Sequence, residues 1–207
     1  NPSPVSLSQG EKRIFWLFDL DKKKSFQVKA VLRHVTPRLY MWFQEDFQIS
    51  QEEVEASGLK MEEMYSQLTA IFGTEAEPGL DNDPHLYIIH ATMLPLVAGY
   101  YSEADQYPKA IHEFSNEAEI IYVSLDALRP NTRSYFGVLA HELQHAIHWR
   151  ADHSEAAWVN EGLSELAADL AGFPVGSPRA FYGRTDTQLN TWPDEPRESG
   201  PHYGAAY

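Results

Sequence analysis

The sequence predicts an α+β fold, a twisted and mostly antiparallel sheet followed by long helices, and three observations carry that prediction. β-Branched and aromatic residues crowd the first third, and two later segments repeat apolar residues at helical spacing. The 207 residues, 43% of them hydrophobic, suffice for one core and are too few to require two. A single domain is therefore expected, with residues 1–150 as its upper lobe and 151–207 as its lower part.

Residues 13–20, 26–34 and 38–43 read as strands, with the charged run 21–24 as the turn between the first two. Ser50 and Glu53 stand at capping-box spacing, so a helix begins there. Its apolar face is Val54, Leu59, Met61, Met64, Tyr65, Leu68 and Ile71, it ends at Gly73, and Gly58 is a candidate break. Turn residues 79–84 lead into two further apolar runs, 85–92 and 119–125, both expected as strands with a polar loop between them. Residues 135–149 carry Phe136, Leu139, Leu143, Ala146 and Ile147 at helical spacing. A second helix is expected after Ser154 as its cap, with Trp158, Leu163, Leu166 and Leu170 on one stripe and Gly172 and Pro174 as its stop. The proline-rich stretch 174–201 reads as loop.

Composition then removes whole classes of function. A net charge of −14 repels phosphate backbones, and the only basic cluster is Lys22, Lys23 and Lys24, so no nucleic-acid partner is expected. The apolar run 93–101 is interrupted by Pro95 and Gly99 and is shorter than a membrane span requires. With no cysteine, a thiol nucleophile, a thiolate metal site and a disulfide framework are all excluded, so any metal must be held by histidines and carboxylates. Asp81 and Asp83 are candidate calcium ligands in an acidic turn.

The residues His141, Glu142, Leu143, Gln144 and His145 form an HExxH motif inside the first of the two late helices. Two histidines four positions apart share a helix face and can reach one ion, while Glu142, about 100° round, can address a metal-bound water instead. A catalytic zinc needs a third protein ligand and an open position. Glu161 on the next helix supplies a carboxylate, and Glu165, four residues on, can accept the far N–H of a zinc-bound histidine.

This HExxH helix, followed by a helix bearing Asn160-Glu161-x-x-Ser164-Glu165, resembles the gluzincin metallopeptidases. The spacing of 15 residues between His145 and Glu161 is shorter than in the thermolysin-type members, and no G-x-M-E-N segment accompanies it, which argues against an aminopeptidase. The strings IFWLFDL, YMWFQED, FGTEAEPGLDNDPHLYII and HYGAAY are similar to the hyicolysin-like and immune inhibitor A-like bacterial zinc peptidases. That resemblance implies a zincin-like fold, a Zn2+ cofactor, export from the cell and hydrolysis of peptide bonds in proteins or peptides.

The mechanism so implied activates a zinc-bound water with Glu142 as general base. An extended substrate is expected along an exposed strand edge at residues 97–101, with Gly99 and Tyr100 as binding residues. For the oxyanion, the resemblance points to His202 or Tyr203, with Tyr182 in reserve. The chain is expected to act as a monomer. The competing reading is a binding or adhesion module that keeps the zincin fold without turnover.

Overall fold

The computed structural model describes residues 7–19, 22–92, 98–174, 176–193 and 198–207. Among them a mixed six-stranded sheet carries two long helices, α1 (Gln51–Phe72) and α2 (Arg133–Ala151), and a shorter third one, α3 (Ala157–Leu170). No described helix is long and apolar enough to cross a membrane. Leu20 and Asp21 of the expected first strand and turn, and residue 97 of the expected binding edge, lie outside the described residues.

The sheet begins antiparallel, as β1 (Lys12–Asp19), β2 (Lys24–Val35) and β3 (Leu39–Gln44) pair in sequence order. β4 (Leu86–Ala91) and β6 (Ile120–Ser124) then add in parallel to β3, and the short β5 (Gly99–Tyr101) closes the order β1-β2-β3-β4-β6-β5 as an antiparallel edge. The expectation of a mostly antiparallel sheet thus holds at its two ends and fails at its centre. The physical reason lies in burial: β4 and β6 are buried at every position and β3 at all but its last, as parallel strands covered on both faces must be.

Alternation along these central strands divides the core. Leu39, Met41, Phe43, Ile88, Ile121 and Val123 face α1 and α2, whereas Tyr40, Trp42, Tyr87, Ile89 and Tyr122 fill an aromatic-rich layer on the other side. The second layer is closed by the sheet itself, because β1 approaches the β5 side. The Trp16 N–H donates to Asn116 Oδ1 at 2.9 Å, Asn116 Nδ2 donates to the Trp16 carbonyl at 2.8 Å, and the Phe18 N–H donates to the Tyr100 hydroxyl at 3.0 Å. Side chains therefore satisfy backbone groups that a bare β1 edge would leave open.

α1 starts where the capping box places it, with Ser50 accepting from the Glu53 N–H at 3.2 Å, and runs through Gly58 without a break. Glycine is needed there for approach: a Cβ at position 58 would lie 2.5 Å from the His34 ring on β2. α2 is capped by Thr132 and anchored to the sheet by His90, a wholly buried residue of β4. The His90 ring bridges the Trp42 carbonyl (Nδ1, 2.7 Å) and the Tyr135 hydroxyl (Nε2, 2.8 Å), and burial pushes its pKa down to about 4, so it is a neutral strut.

α3 departs from expectation at both its start and its face. Its cap is Ala156, and Ser154 instead turns back onto Asp152 Oδ1. The buried face is Ser164, Glu165, Ala167 and Ala168, while Trp158, Leu166 and Leu170 stay exposed. Small and polar residues are what allow α3 to lie close on α2 and deliver carboxylates inward. The proline-rich stretch likewise holds more order than expected, with α4 (Arg179–Tyr182), a single 3-10 turn (Leu189–Thr191) and then α5 (Gly200–Ala206). α5 seats on α3, where a Cβ at Gly162 would come within 3.1 Å of the Ala206 carbonyl.

Candidate metal centre

The helical rise puts His141 and His145 one turn apart on the face of α2 that meets α3. Their Nε2 atoms lie 3.1 Å apart, and Glu161 Oε2 lies 3.2 Å from the first and 3.6 Å from the second. A tetrahedral ion bound at about 2.0–2.1 Å separates its ligand atoms by about 3.3–3.4 Å, the size of this triangle. Among the described residues it is the one group of three His, Asp or Glu that could hold a metal ion.

A fit to an ion also requires that the three atoms have no better use. Glu161 Oε2 is buried and has no hydrogen-bond partner, although two imidazole nitrogens stand beside it. A buried carboxylate oxygen without a hydrogen bond is costly in a protein interior; the charged His145 offsets that cost in the metal-free fold, and a cation at the centre of the triangle takes over that role. The far nitrogen of His145 is meanwhile held in place, its Nδ1 3.0 Å from Asn160 Oδ1 and 3.2 Å from Ser164 Oγ, whereas His141 Nδ1 stands 3.5 Å from Glu165 Oε1 without a hydrogen bond. A proton kept on Nδ1 of His145 directs its Nε2 lone pair into the triangle once Nε2 is unprotonated.

Without a metal the charges of the cluster rearrange. Burial would depress His145, but the carboxylates of Glu161 and Glu142, with Asn160, carry its pKa up to about 9. Burial likewise opposes ionisation of Glu161, yet the two histidines hold its carboxyl far below the usual range. Burial raises Glu165. In the metal-free fold His145 therefore stabilises fully below its ordinary value of 6.5 and loses that contribution as pH rises through about 9. A ligand nitrogen must be unprotonated, so metal uptake near pH 7.5 is expected to expel about one proton. Binding heats in buffers of different ionisation enthalpy measure that number, and a value near zero would contradict the charged state of His145.

Glu142 is buried, sits outside the ligand triangle and lines a cavity of about 380 Å³ with His141, Val138, Gly99, Glu165 and Tyr203. Gly99 is pressed on α2: a Cβ there would be 2.7 Å from Val138 Cγ1 and 2.9 Å from the Tyr122 carbonyl. β5 can thus run beside the HExxH helix only with glycine at that point. Of the expected binding residues, Gly99 faces this cavity, whereas Tyr100 stacks on Tyr122 at 4.5 Å and its ring belongs to the far side of the sheet.

α5 separates the two oxyanion candidates. Tyr203 comes beside Glu161, and burial followed by the charge of that carboxylate raises its pKa strongly, so it is a hydroxyl donor at any working pH. His202, one position and about 100° away, bears on Thr191 Oγ1 at 3.4 Å instead, while both rings meet Trp192, His202 at 5.6 Å and Tyr203 at 4.9 Å. Tyr182 is largely exposed on α4. Asp81 and Asp83 are not brought to the cluster; they brace the entry to β4, accepting from the Tyr87 and Tyr40 hydroxyls at 2.8 and 2.9 Å.

Three supporting residues had no role assigned from the sequence. Asn160 and Ser164 flank Glu161 on one face of α3, a signal present in the motif string itself. Gly176 carries none: its backbone supports Glu165, and a Cβ there would collide with that carboxylate at 2.0 Å. Neither a scan of protein-family models nor a search of curated proteins returns a match to the chain.

Proposed function

We propose that the chain is a zinc-dependent peptidase of the gluzincin type with a zincin-like fold, working outside the cell on proteins or peptides. The observation that carries the reading is the separation of roles among neighbouring groups. Two imidazole nitrogens and one carboxylate oxygen converge at 3.1–3.6 Å, while a fourth group, the Glu142 carboxylate, stands beside them without joining. Ligand set and base are both present, as metal-assisted hydrolysis demands. Zinc suits two imidazoles and a carboxylate in a chain without cysteine, and once bound it supplies a water acidic near neutral pH and an electrophile for the substrate carbonyl.

The chain's own residues perform the remaining steps. Glu142 accepts the proton of the attacking water and returns it to the leaving amine. Tyr203 is a preorganised donor that hydrogen-bonds the oxygen on which negative charge develops. Asn160 and Ser164 keep the His145 imidazole in register, and Glu165, 3.5 Å from His141 Nδ1, supplies a negative charge behind the other ring.

Tyr203→Phe is expected to lower kcat by about 10²-fold with KM and zinc content unchanged, since that interaction belongs to the transition state. Unaltered turnover would remove Tyr203 from the mechanism. The outer edge of β5 pairs with no described strand, so an extended substrate can add to it. A complex with a peptide inhibitor is expected to show main-chain hydrogen bonds to residues 99–101, and a peptide touching none of them would contradict this placement.

A further inference from the structure

A cavity of about 950 Å³ opens on the other side of β5, between the end of the β1–β2 hairpin and the chain that follows Tyr101. Its walls are aromatic: Trp16, Phe18, Tyr100, Phe114 and Tyr122, with Trp16 and Phe114 meeting edge to face at 4.9 Å. Lys23 and Lys24, both exposed, stand on its rim. Neither makes an ion pair among the described residues, whereas Lys22 next to them is paired with Asp19 at 3.0 Å.

Two features of the surroundings decide what this cavity can take. The backbone N–H groups of Trp16 and Phe18 are already bonded to Asn116 and Tyr100, so an occupant cannot add as a strand to β1 and must be recognised through side chains. The charges are also polarised. Asp105 in the wall is consumed by the Tyr122 hydroxyl and the Asn116 N–H, both at 2.6 Å. Glu103 and Tyr101 mark the opposite end, where they also line the cavity of about 400 Å³ that contains His145 and Glu161. The aromatic cavity therefore shares the Tyr101 and Glu103 wall with the cavity at the metal centre and is cationic at its other end, in a chain whose net charge of −14 would otherwise repel anions.

We propose that this cavity docks the polypeptide substrate, taking a large aromatic or aliphatic side chain with an acidic residue beside it, on the His145 side of the scissile bond. The inference rests on the peptidase reading for its occupant. The apolar walls desolvate the large side chain, and the two lysines meet the carboxylate at the rim.

Glu142→Gln protein, which holds peptide without cleaving it, allows binding to be read by fluorescence polarisation with two labelled Gly-Ser peptides, one carrying Phe-Glu and the other Phe-Lys. The Phe-Glu peptide is expected to bind at least about tenfold more tightly, and Lys23→Glu with Lys24→Glu to erase that preference. Phe114→Ala, on a half-buried loop residue, is expected to weaken both peptides about tenfold with zinc content unchanged. Equal affinity for the two peptides, or a preference that survives reversal of both lysines, overturns the proposal. A retained preference in this variant, together with a zinc-loaded wild-type chain that hydrolyses neither peptide nor protein, would sink the peptidase reading and leave the docking site standing.

Discussion

Glu142→Gln is expected to abolish nearly all hydrolysis, lowering kcat by about 10²- to 10⁴-fold, while the protein still binds one zinc with wild-type affinity. The amide keeps the volume of a buried side chain and removes only its basicity, and no ligand atom is touched. Steady-state kinetics beside metal analysis separate the two quantities. Loss of zinc together with activity would place Glu142 in the coordination sphere. Activity near wild type would remove the general base and favour a different proton acceptor. A wild-type chain that binds zinc and cleaves nothing would instead support the binding or adhesion module.

Glu161→Ala is expected to have the opposite signature, losing metal first and activity as its consequence. Zinc sites with four protein ligands are worth about 10–16 kcal/mol, or about 3 kcal/mol for each ligand, so affinity is expected to fall about 10²- to 10³-fold. The vacated triangle leaves the two imidazole nitrogens 3.1 Å apart, no longer flanked by the anion that raises His145. Chelator competition measures the change. Undiminished zinc affinity would mean that the ion sits elsewhere.

The contrast between these variants reflects which parts of the site are local. His141, Glu142 and His145 are legible because a helix converts spacing directly into a shared face, whatever the rest of the chain does. Glu161 follows from the need for a third donor, and the adjoining helix offers it close by in sequence. His202 and Tyr203 are inseparable by sequence, because only the phase of α5 against α3 decides which of the two turns toward Glu161. The face of α3 misleads for a related reason. An apolar stripe ordinarily marks the buried side, yet here the inward side is reserved for Glu161, Ser164 and Glu165, leaving Trp158, Leu166 and Leu170 outside.

Long-range pairing was the least accessible part of the fold. Residues 85–92 and 119–125 read as strands from composition alone, but their parallel register against β3 is set by contacts across the sheet that no local pattern records. Gly58 reads as a possible helix break and Gly99 as an interruption of an apolar run, whereas each marks a close approach, to His34 and to Val138. The cavity beside β5 depends on the β1 edge approaching the opposite side of the sheet, so its walls come from segments far apart in the chain.

The most direct test of the account is zinc-edge X-ray absorption on the protein loaded with one equivalent of zinc. The expected spectrum contains two histidine nitrogens at about 2.0 Å and light oxygen donors completing four-coordination, with one imidazole lost in His141→Ala or His145→Ala. A spectrum with no imidazole scattering, or one unchanged when either histidine is removed, would contradict the assignment of His141, His145 and Glu161 as the metal centre.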